Sequence, residues 1–540
     1  MRNYKKNSVP NNVILDSNIL PQTDANLSSF NLSESHSTCI PFDKLIPVYW
    51  NEMSPNDHFE IDVKALGRLM PMVAPTMSNI KLKFFSFFVP NRLLWQNWTK
   101  FMGERLYQND SNVYTVPQIS LNSTDIAVGT LPDFLGIPPM KINHTVSALP
   151  FRAYNLIWNQ WFRSNQLQDP CKEFSGDTVV EEVMKEYPLR NIGKPLDYFT
   201  SCLPTPLAGG QEVQTPLAGN ADVLTTDKLT MINTFNTRDS KNYLKNLQAE
   251  NNNTNDYMRN GNISNTVLAS EGAKTNLYAD LSAVTGISIN QLRYASALQV
   301  LLERDNLAGE LYVDLMKMHF GTTVPDFLVG RSQFLGSTTS YVQQEPIAQT
   351  SGSNIQGSTS PLGNLAAVGV AMENSKLCEY SAVEHGILMV MACVVGDVLY
   401  QQGLDRKFSR KDRFDYPFPE FANLGEQPIL NQEIFLAADD TQNKQIFGYN
   451  ERYRELRQGI NKVSGRLRSG VPLSLDVWHL AQKFENLPKL NGEFIEQKTP
   501  IKRALASADD DQLILSCFFD IKATRALPMT ARPSLITGKL

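Results

Sequence analysis

The chain has 540 residues, 42% hydrophobic and 19% charged, and its 50 basic residues face 55 acidic ones for a formal net charge of −5. Such a chain has ample apolar residues for large buried cores, and its slight acidity excludes a protein that coats phosphate with its whole surface, so any nucleic-acid contact must be local. Six scattered cysteines without a C-x-x-C spacing give no sign of a thiolate zinc site or a redox pair, and a reducing cytoplasm suits them.

Residues 1–40 are polar and begin without periodicity, which predicts an extended N-terminal arm; the opening MRNYKKNSVPNN lacks the apolar centre of a signal peptide. Residues 39–57, CIPFDKLIPVYWNEMSPND, predict a first strand and its exit. The segment 81–104, KLKFFSFFVPNRLLWQNWTKFMGE, changes period midway. Phe84, Phe85, Phe87, Phe88 and Val89 read as a strand that Pro90 stops by removing a backbone donor. Asn91 then reads as a cap for a helix carrying Leu94, Trp95, Trp98, Phe101 and Met102 at spacings of three and four, with Gly103 at its end. Phe151, Tyr154, Trp158, Trp161 and Phe162 form a second helical stripe, core or interface.

From residue 205 to 285 the composition shifts: TPLAG occurs twice, and twelve of the fifty residues 231–280 are Asn. A segment with so few large apolar side chains holds little core of its own, and reads as a linker or a surface insertion. Helical text returns with Leu298, Leu301, Leu302, Leu311, Leu315 and Met318, and Gly321 is the stop signal. Residues 343–364, rich in Ser, Thr, Gln and Gly, predict a long loop or bridging arm. The apolar run 387–395 is far shorter than the ~20 residues a membrane-spanning helix needs, and predicts a buried strand. Strict alternation of Leu513, Leu515, Cys517, Phe519 and Ile521 predicts a further strand; Ile514 and Phe518 on its other face imply a cover there. Cys393 and Cys517 lie in apolar runs and read as core residues.

Three basic clusters stand out. Arg2, Lys5 and Lys6 surround Tyr4; Arg406, Lys407, Arg410, Lys411 and Arg413 alternate with Phe408, Phe414 and Tyr416; Arg452, Arg454, Arg457, Lys462, Arg466 and Arg468 form the third. Cations beside rings suit single-stranded nucleic acid, where phosphates meet the charges and bases stack; the other readings are a solvated face or an interface set of ion pairs. No phosphate-binding loop, dinucleotide fingerprint, zinc-protease motif or nucleophile elbow is present, and the six histidines never fall at metal-ligand spacing. The acidic run 509–511 reads as a solvated turn before a cation site. No catalytic residue, metal site or cofactor is expected.

Several blocks in fixed order carry a resemblance that covers nearly the whole chain: 81–104; LPDFLGIP at 131–138; LPFRAYNLIWNQWFR at 149–163; DYFTSCLPTP at 197–206; INQLRYASALQVLLERD at 289–305; MHFGTTVPDFLVGR at 318–331; 400–435; FGYNERYRELR at 447–457; LDVWHLAQKFENLP at 475–488; and FDIKATRALPMTARP at 519–533. Together they resemble the major capsid proteins of the microviruses, small icosahedral single-stranded DNA phages, and their gokushovirus-like branch. The resemblance implies a mainly β fold, an eight-stranded antiparallel jelly-roll barrel spanning residues 41–540, with long insertions containing helices. It also implies self-assembly into a T=1 icosahedral shell around a circular single-stranded DNA genome. The 205–285 insertion would project outward at the threefold axis and serve host attachment. Implied partners are further copies of the chain, the genome, a small basic DNA-binding protein, an internal scaffolding protein, a minor pilot protein and a host surface receptor, with assembly in the bacterial cytoplasm and no membrane. Candidate DNA contacts are Arg2, Lys5, Lys6, Arg406, Lys407, Arg410, Lys411 and Arg413; candidate subunit-packing residues are Trp95, Trp98, Phe101, Trp158 and Trp161. The alternative is a jelly-roll carbohydrate-binding protein or glycan-acting enzyme that stacks sugars on its tryptophans, four of which lie in helical stripes that favour burial.

Overall fold

The computed structural model describes residues 27–105, 113–122, 126–139, 144–177, 180, 182–207, 222–225, 277–280, 288–309, 311–348, 354–355, 358–359, 365–506 and 511–529. Nine antiparallel strands form its main sheet: β1 (Ser28–Asn31), β2 (Glu34–Ile40), β3 (Ile46–Met53), β4 (His58–Leu69), β5 (Ile80–Pro90), β6 (Gln333–Ala348), β7 (Leu365–Ser381), β8 (Gly386–Gly396) and β9 (Leu513–Arg525). The sheet therefore begins inside the stretch expected as an arm, where β1 and β2 pair with β9; residues 1–26 lie outside the described residues.

The pairing order explains the shape. One set of neighbours runs β2–β9–β4–β7 and the other β3–β8–β5–β6, so each side of the barrel alternates early and late strands in the manner of a jelly roll. Strand β6 joins them: residues 333–341 pair with β5, and residues 342–348 pair with β7. The first six residues of the loop expected over 343–364 are thus paired strand, Gln343–Ala348 lying antiparallel to β7 with mostly exposed side chains. Where the register shifts between Phe334 and Gly336, a Cβ on Gly336 would lie 2.2 Å from the Leu377 carbonyl oxygen. Gly336→Ala is expected to lower stability by about 1–3 kcal/mol through that overpacking, measurable by denaturant unfolding.

Burial follows the period. On β9, Leu513, Leu515, Cys517, Phe519 and Ile521 point into the barrel at 1% exposure or less, as the alternation predicts. The side of β9 that bears Ile514 and Phe518 remains 48% and 39% exposed at these residues, so the cover inferred from sequence is not supplied by the described part of the chain. Strand β8 is buried throughout for a different reason: Leu388, Val390, Ala392 and Val394 face the barrel core, while Ile387, Met389, Met391 and Cys393 face a second core outside it. Cys393 and Cys517 are both buried, as their apolar surroundings predict.

Helix α1 (Leu149–Ile157) runs into a π-helical turn, Trp158–Phe162, and closes that second core. The wide turn presents Trp161 and Phe162 to Phe87, with ring centroids 5.7 and 5.9 Å away. A third core gathers Tyr198, Phe199, Tyr400, Ile429 and Phe447 among the late loops.

The chain divides into two compact units, Met1–Pro206 with Asp305–Leu540, and Leu207–Arg304. Of the Asn-rich insertion, only 205–207 and the antiparallel pair Asp222–Thr225 and Leu277–Asp280 belong to the described residues. Helices α2 (Ile289–Ala308) and α3 (Tyr312–Phe320) form where the apolar spacing predicts, and Gly321, at φ +65°, ends α3. Among the described residues no helix is long and apolar enough to cross a membrane.

Candidate assembly and nucleic-acid surfaces

The aromatic segment after β5 departs from a single helix. Pro90, not Asn91, occupies the cap position, and Asn91 is buried in the first turn without capping it. One turn, Asn91–Leu94, ends at Trp95, whose backbone is extended (φ −149°, ψ 118°), and a second turn spans Trp98–Phe101 before Gly103 at φ +105°. Tertiary bonds outcompete the helix here. The Gln96 amide donates to the Ser175 carbonyl (2.8 Å), the Asn97 side-chain amide donates to Asp177 (2.9 Å), and the Trp95 indole N–H donates to the same carboxylate.

That break places the ring of Trp95 fully inside the chain, edge-on to Trp98 and tilted against Phe101, with centroids 6.4 and 5.4 Å away. Trp158 is also buried, donating to the Asn191 carbonyl at 3.1 Å. Trp98, Phe101 and Trp161 are half-buried; Arg331 lies 3.8 Å over the Trp161 ring, and the Trp161 indole donates to Ser332 Oγ at 2.9 Å. The five candidate packing residues thus share one internal layer, with three of them keeping an outer edge. Of the six tryptophans, Trp95 and Trp158 are buried and the other four half-buried, which favours packing over a platform for a sugar ring.

The second basic cluster occupies two short 3₁₀ turns, Arg406–Phe408 and Arg413–Asp415, and the structure divides its members. Arg406 donates to the Pro428 carbonyl (2.8 Å) and pairs with Glu433 (3.3 Å), a carboxylate whose side chain is 2% exposed. Tyr198 donates to the other Glu433 oxygen at 2.8 Å. Burial pushes the Glu433 carboxyl up, and Arg406, the Leu430 amide and the Tyr198 hydroxyl oppose it. Arg410 likewise pairs at 3.3 Å with the buried Glu455. Lys407, Lys411 and Arg413 are exposed, beside Phe408, Phe414 and Tyr416 at 77%, 70% and 55% exposure. Arg2, Lys5 and Lys6 lie outside the described residues.

In the third basic cluster, Arg454 and Arg457 both pair with Glu451 (3.1 and 2.7 Å), and Lys462 pairs with Asp405 (2.6 Å). Glu433 and Glu455 escaped sequence reasoning because they stand 27 and 45 residues from the arginines they neutralise, beyond any helical or strand period. Apolar surface missed by the sequence lies on α3, none of whose residues is buried; Tyr312 and Phe320 are 62% and 71% exposed. Further along the chain, Phe327 and Leu328 are 47% and 68% exposed. Patches of this kind mark association surfaces.

A double-sheet barrel with long ordered loops, an apolar helical surface and a basic–aromatic segment defines a structural shell subunit. The chain belongs to the phage capsid family whose model, described as "Capsid protein (F protein)", matches residues 18–535. It is 37% identical over 526 residues to "Capsid protein VP1" of Bdellovibrio phage phiMH2K, covering 94% of this chain and 95% of that protein. It is 33% identical to the proteins of the same name from Chlamydia phage 1, over 96% of this chain and 97% of the relative, and from Spiroplasma virus 4, over 93% and 94%. These relatives place it in the gokushovirus-like branch, as a structural protein of the virion and not an enzyme.

Proposed function

We propose that copies of this chain close into a T=1 icosahedral shell around a circular single-stranded DNA genome, and that the segment 405–420 faces that genome. The observation that carries the DNA reading is the grouping of Lys407, Lys411 and Arg413 with three exposed rings, Phe408, Phe414 and Tyr416. Guanidinium and ammonium groups neutralise phosphates while exposed rings stack on unpaired bases. Exposed apolar side chains on α3 and residues 327–328 support burial against further copies, with symmetry setting closure.

The net charge of −5 supports a division of labour in which a small basic DNA-binding protein neutralises most of the genome. An internal scaffolding protein, a minor pilot protein and a host surface receptor complete the partners, with assembly in the host cytoplasm. The 205–285 insertion projects outward at the threefold axis in this reading and serves host attachment.

Particle imaging at side-chain resolution tests this. Uniform shells are expected, with the insertion outermost and Lys407 facing inward. The triple substitution Lys407→Ala, Lys411→Ala, Arg413→Ala is expected to leave shells intact and to cut the salt dependence of single-strand binding by a slope of roughly 2, at ~0.7 per lost phosphate contact. An outward-facing Lys407, or unchanged DNA order in the triple variant, would remove this segment from the genome-binding surface.

A further inference from the structure

The outer face of the β2–β9–β4–β7 sheet carries an apolar patch. Leu66 on β4 lies opposite Met372 on β7 and Ser516 on β9, and the register sets Ile514 and Phe518 on the two diagonals beside it. Facing residues on neighbouring strands stand about 5 Å apart and diagonal ones about 7–8 Å, so the four apolar side chains adjoin. The described residues leave Leu66, Met372, Ile514 and Phe518 37%, 73%, 48% and 39% exposed. On the opposite sheet, by contrast, the second core covers the outward residues of β8.

Charge around the patch does not favour a polyanion. Lys64 pairs with Asp520 at 3.1 Å, Lys376 with Glu60 and Glu379 at 2.9 and 2.6 Å, and Lys522 with Glu60 at 3.8 Å, so these cations already have carboxylates. The chain supplies an apolar segment of its own. Residues 13–20 read VILDSNIL, five aliphatic side chains in eight residues, and the following PQTDAN, 21–26, holds the turn formers Pro21, Asp24 and Asn26. The chain enters the sheet at Ser28, opposite Arg525, so everything upstream starts from that end of the face. Fifteen residues lead from Val13 to Ser28; a reversal over 21–26 takes six, and the nine left span about 30 Å. Ser516 lies nine residues from Arg525 along β9, the same distance. The tail after β9 starts from the same end, but its Leu527 and Met529 stay 51% and 75% exposed.

We propose that the chain's own residues 13–20 double back at 21–26 and cross this face in extended form, seating Val13 and Leu15 on Leu66, Met372 and Phe518. Alternation in an extended segment puts Val13 and Leu15 on one side, two residues apart, as Ser516 and Phe518 are on β9. Burial of aliphatic surface on both partners drives the docking. The segment then carries Arg2, Lys5 and Lys6 past Ile514, so the N-terminal cations emerge at the Leu513 end of the sheet.

Thiol cross-linking in assembled shells is the test. The full chain carries Val13→Cys and Ser516→Cys, with Cys39→Ser to remove the half-buried native thiol; the other five cysteines are buried. A short bis-maleimide is expected to join residues 13 and 516 within one chain, read as a linked peptide at monomer mobility, at least tenfold more than between chains. Met372→Asp, at a position 73% exposed, is expected to cut that product about tenfold without affecting assembly. Products linked mainly between chains would give the patch to a neighbouring copy's segment and overturn the proposal. A link within the chain that is absent, or unchanged by Met372→Asp, overturns it as well. Should the cysteine variant fail to assemble, particle density over Leu66 in the parent shell decides: continuity with Ser28 of the same chain is expected, and continuity with another chain, the C-terminal tail or DNA refutes it.

Discussion

Arg406→Ala is expected to lower the stability of the folded subunit by about 2–4 kcal/mol, although in the sequence it reads as the loss of one surface cation among five. The reason is Glu433. Its side chain is 2% exposed, Arg406 stands 3.3 Å from it, and removing the guanidinium leaves a carboxylate in the interior beside Glu455, which also disfavours its charge. The Arg406 side chain is 27% exposed, so solvent already weakens the pair, and the expected loss falls short of that for a fully enclosed one.

The pH dependence gives the signature. Burial raises the folded Glu433 above its ordinary value of 4.5, so the folded state binds more protons than the unfolded state between those two values. Stability from this group is therefore fullest below about 4.5 and is lost as pH rises through the folded value. Without Arg406 the folded value rises further, so the deficit of the variant is expected to be small near pH 4 and largest at neutral pH. Adding Glu433→Gln should recover much of the loss. Urea unfolding of both variants at two pH values checks this, and a pH-independent deficit would assign the effect to packing. Lys407→Ala in the same assay is expected to change stability by less than about 0.5 kcal/mol, since the side chain is exposed.

Trp95→Ala is expected to be the most damaging substitution in the aromatic layer, at about 3–5 kcal/mol. The ring is 0% exposed, meets Trp98 and Phe101, and donates to Asp177; its loss opens a cavity and frees a carboxylate that organises the start of the second turn. Trp95→Phe keeps part of the volume and loses the indole donor, so an intermediate cost separates packing from the hydrogen bond. Denaturant midpoints of the two variants provide the measurement. Equal stability of Trp95→Ala and the parent would mean that the layer tolerates collapse at its centre.

The two substitutions show how unevenly the candidate sites could be read from sequence. The five cations of residues 406–413 look alike along the chain, yet Arg406 and Arg410 are committed to buried glutamates while Lys407, Lys411 and Arg413 reach solvent. Trp95 and Trp98 both fit a helical stripe, yet the chain breaks its helix at Trp95 to place that ring in the interior.

Local period carries information within a few residues, and there the sequence alone was sufficient. It determined the β9 alternation, the buried β8 run, the stops at Gly103 and Gly321, and, through long blocks in fixed order, the capsid family. The tertiary structure alone decided the pairing of residues 343–348, the break at Trp95, and the partners of Arg406 and Arg410. Those features depend on desolvation and on groups brought together from distant positions, where the same cation or aromatic ring is a ligand contact in water and a structural tie when buried.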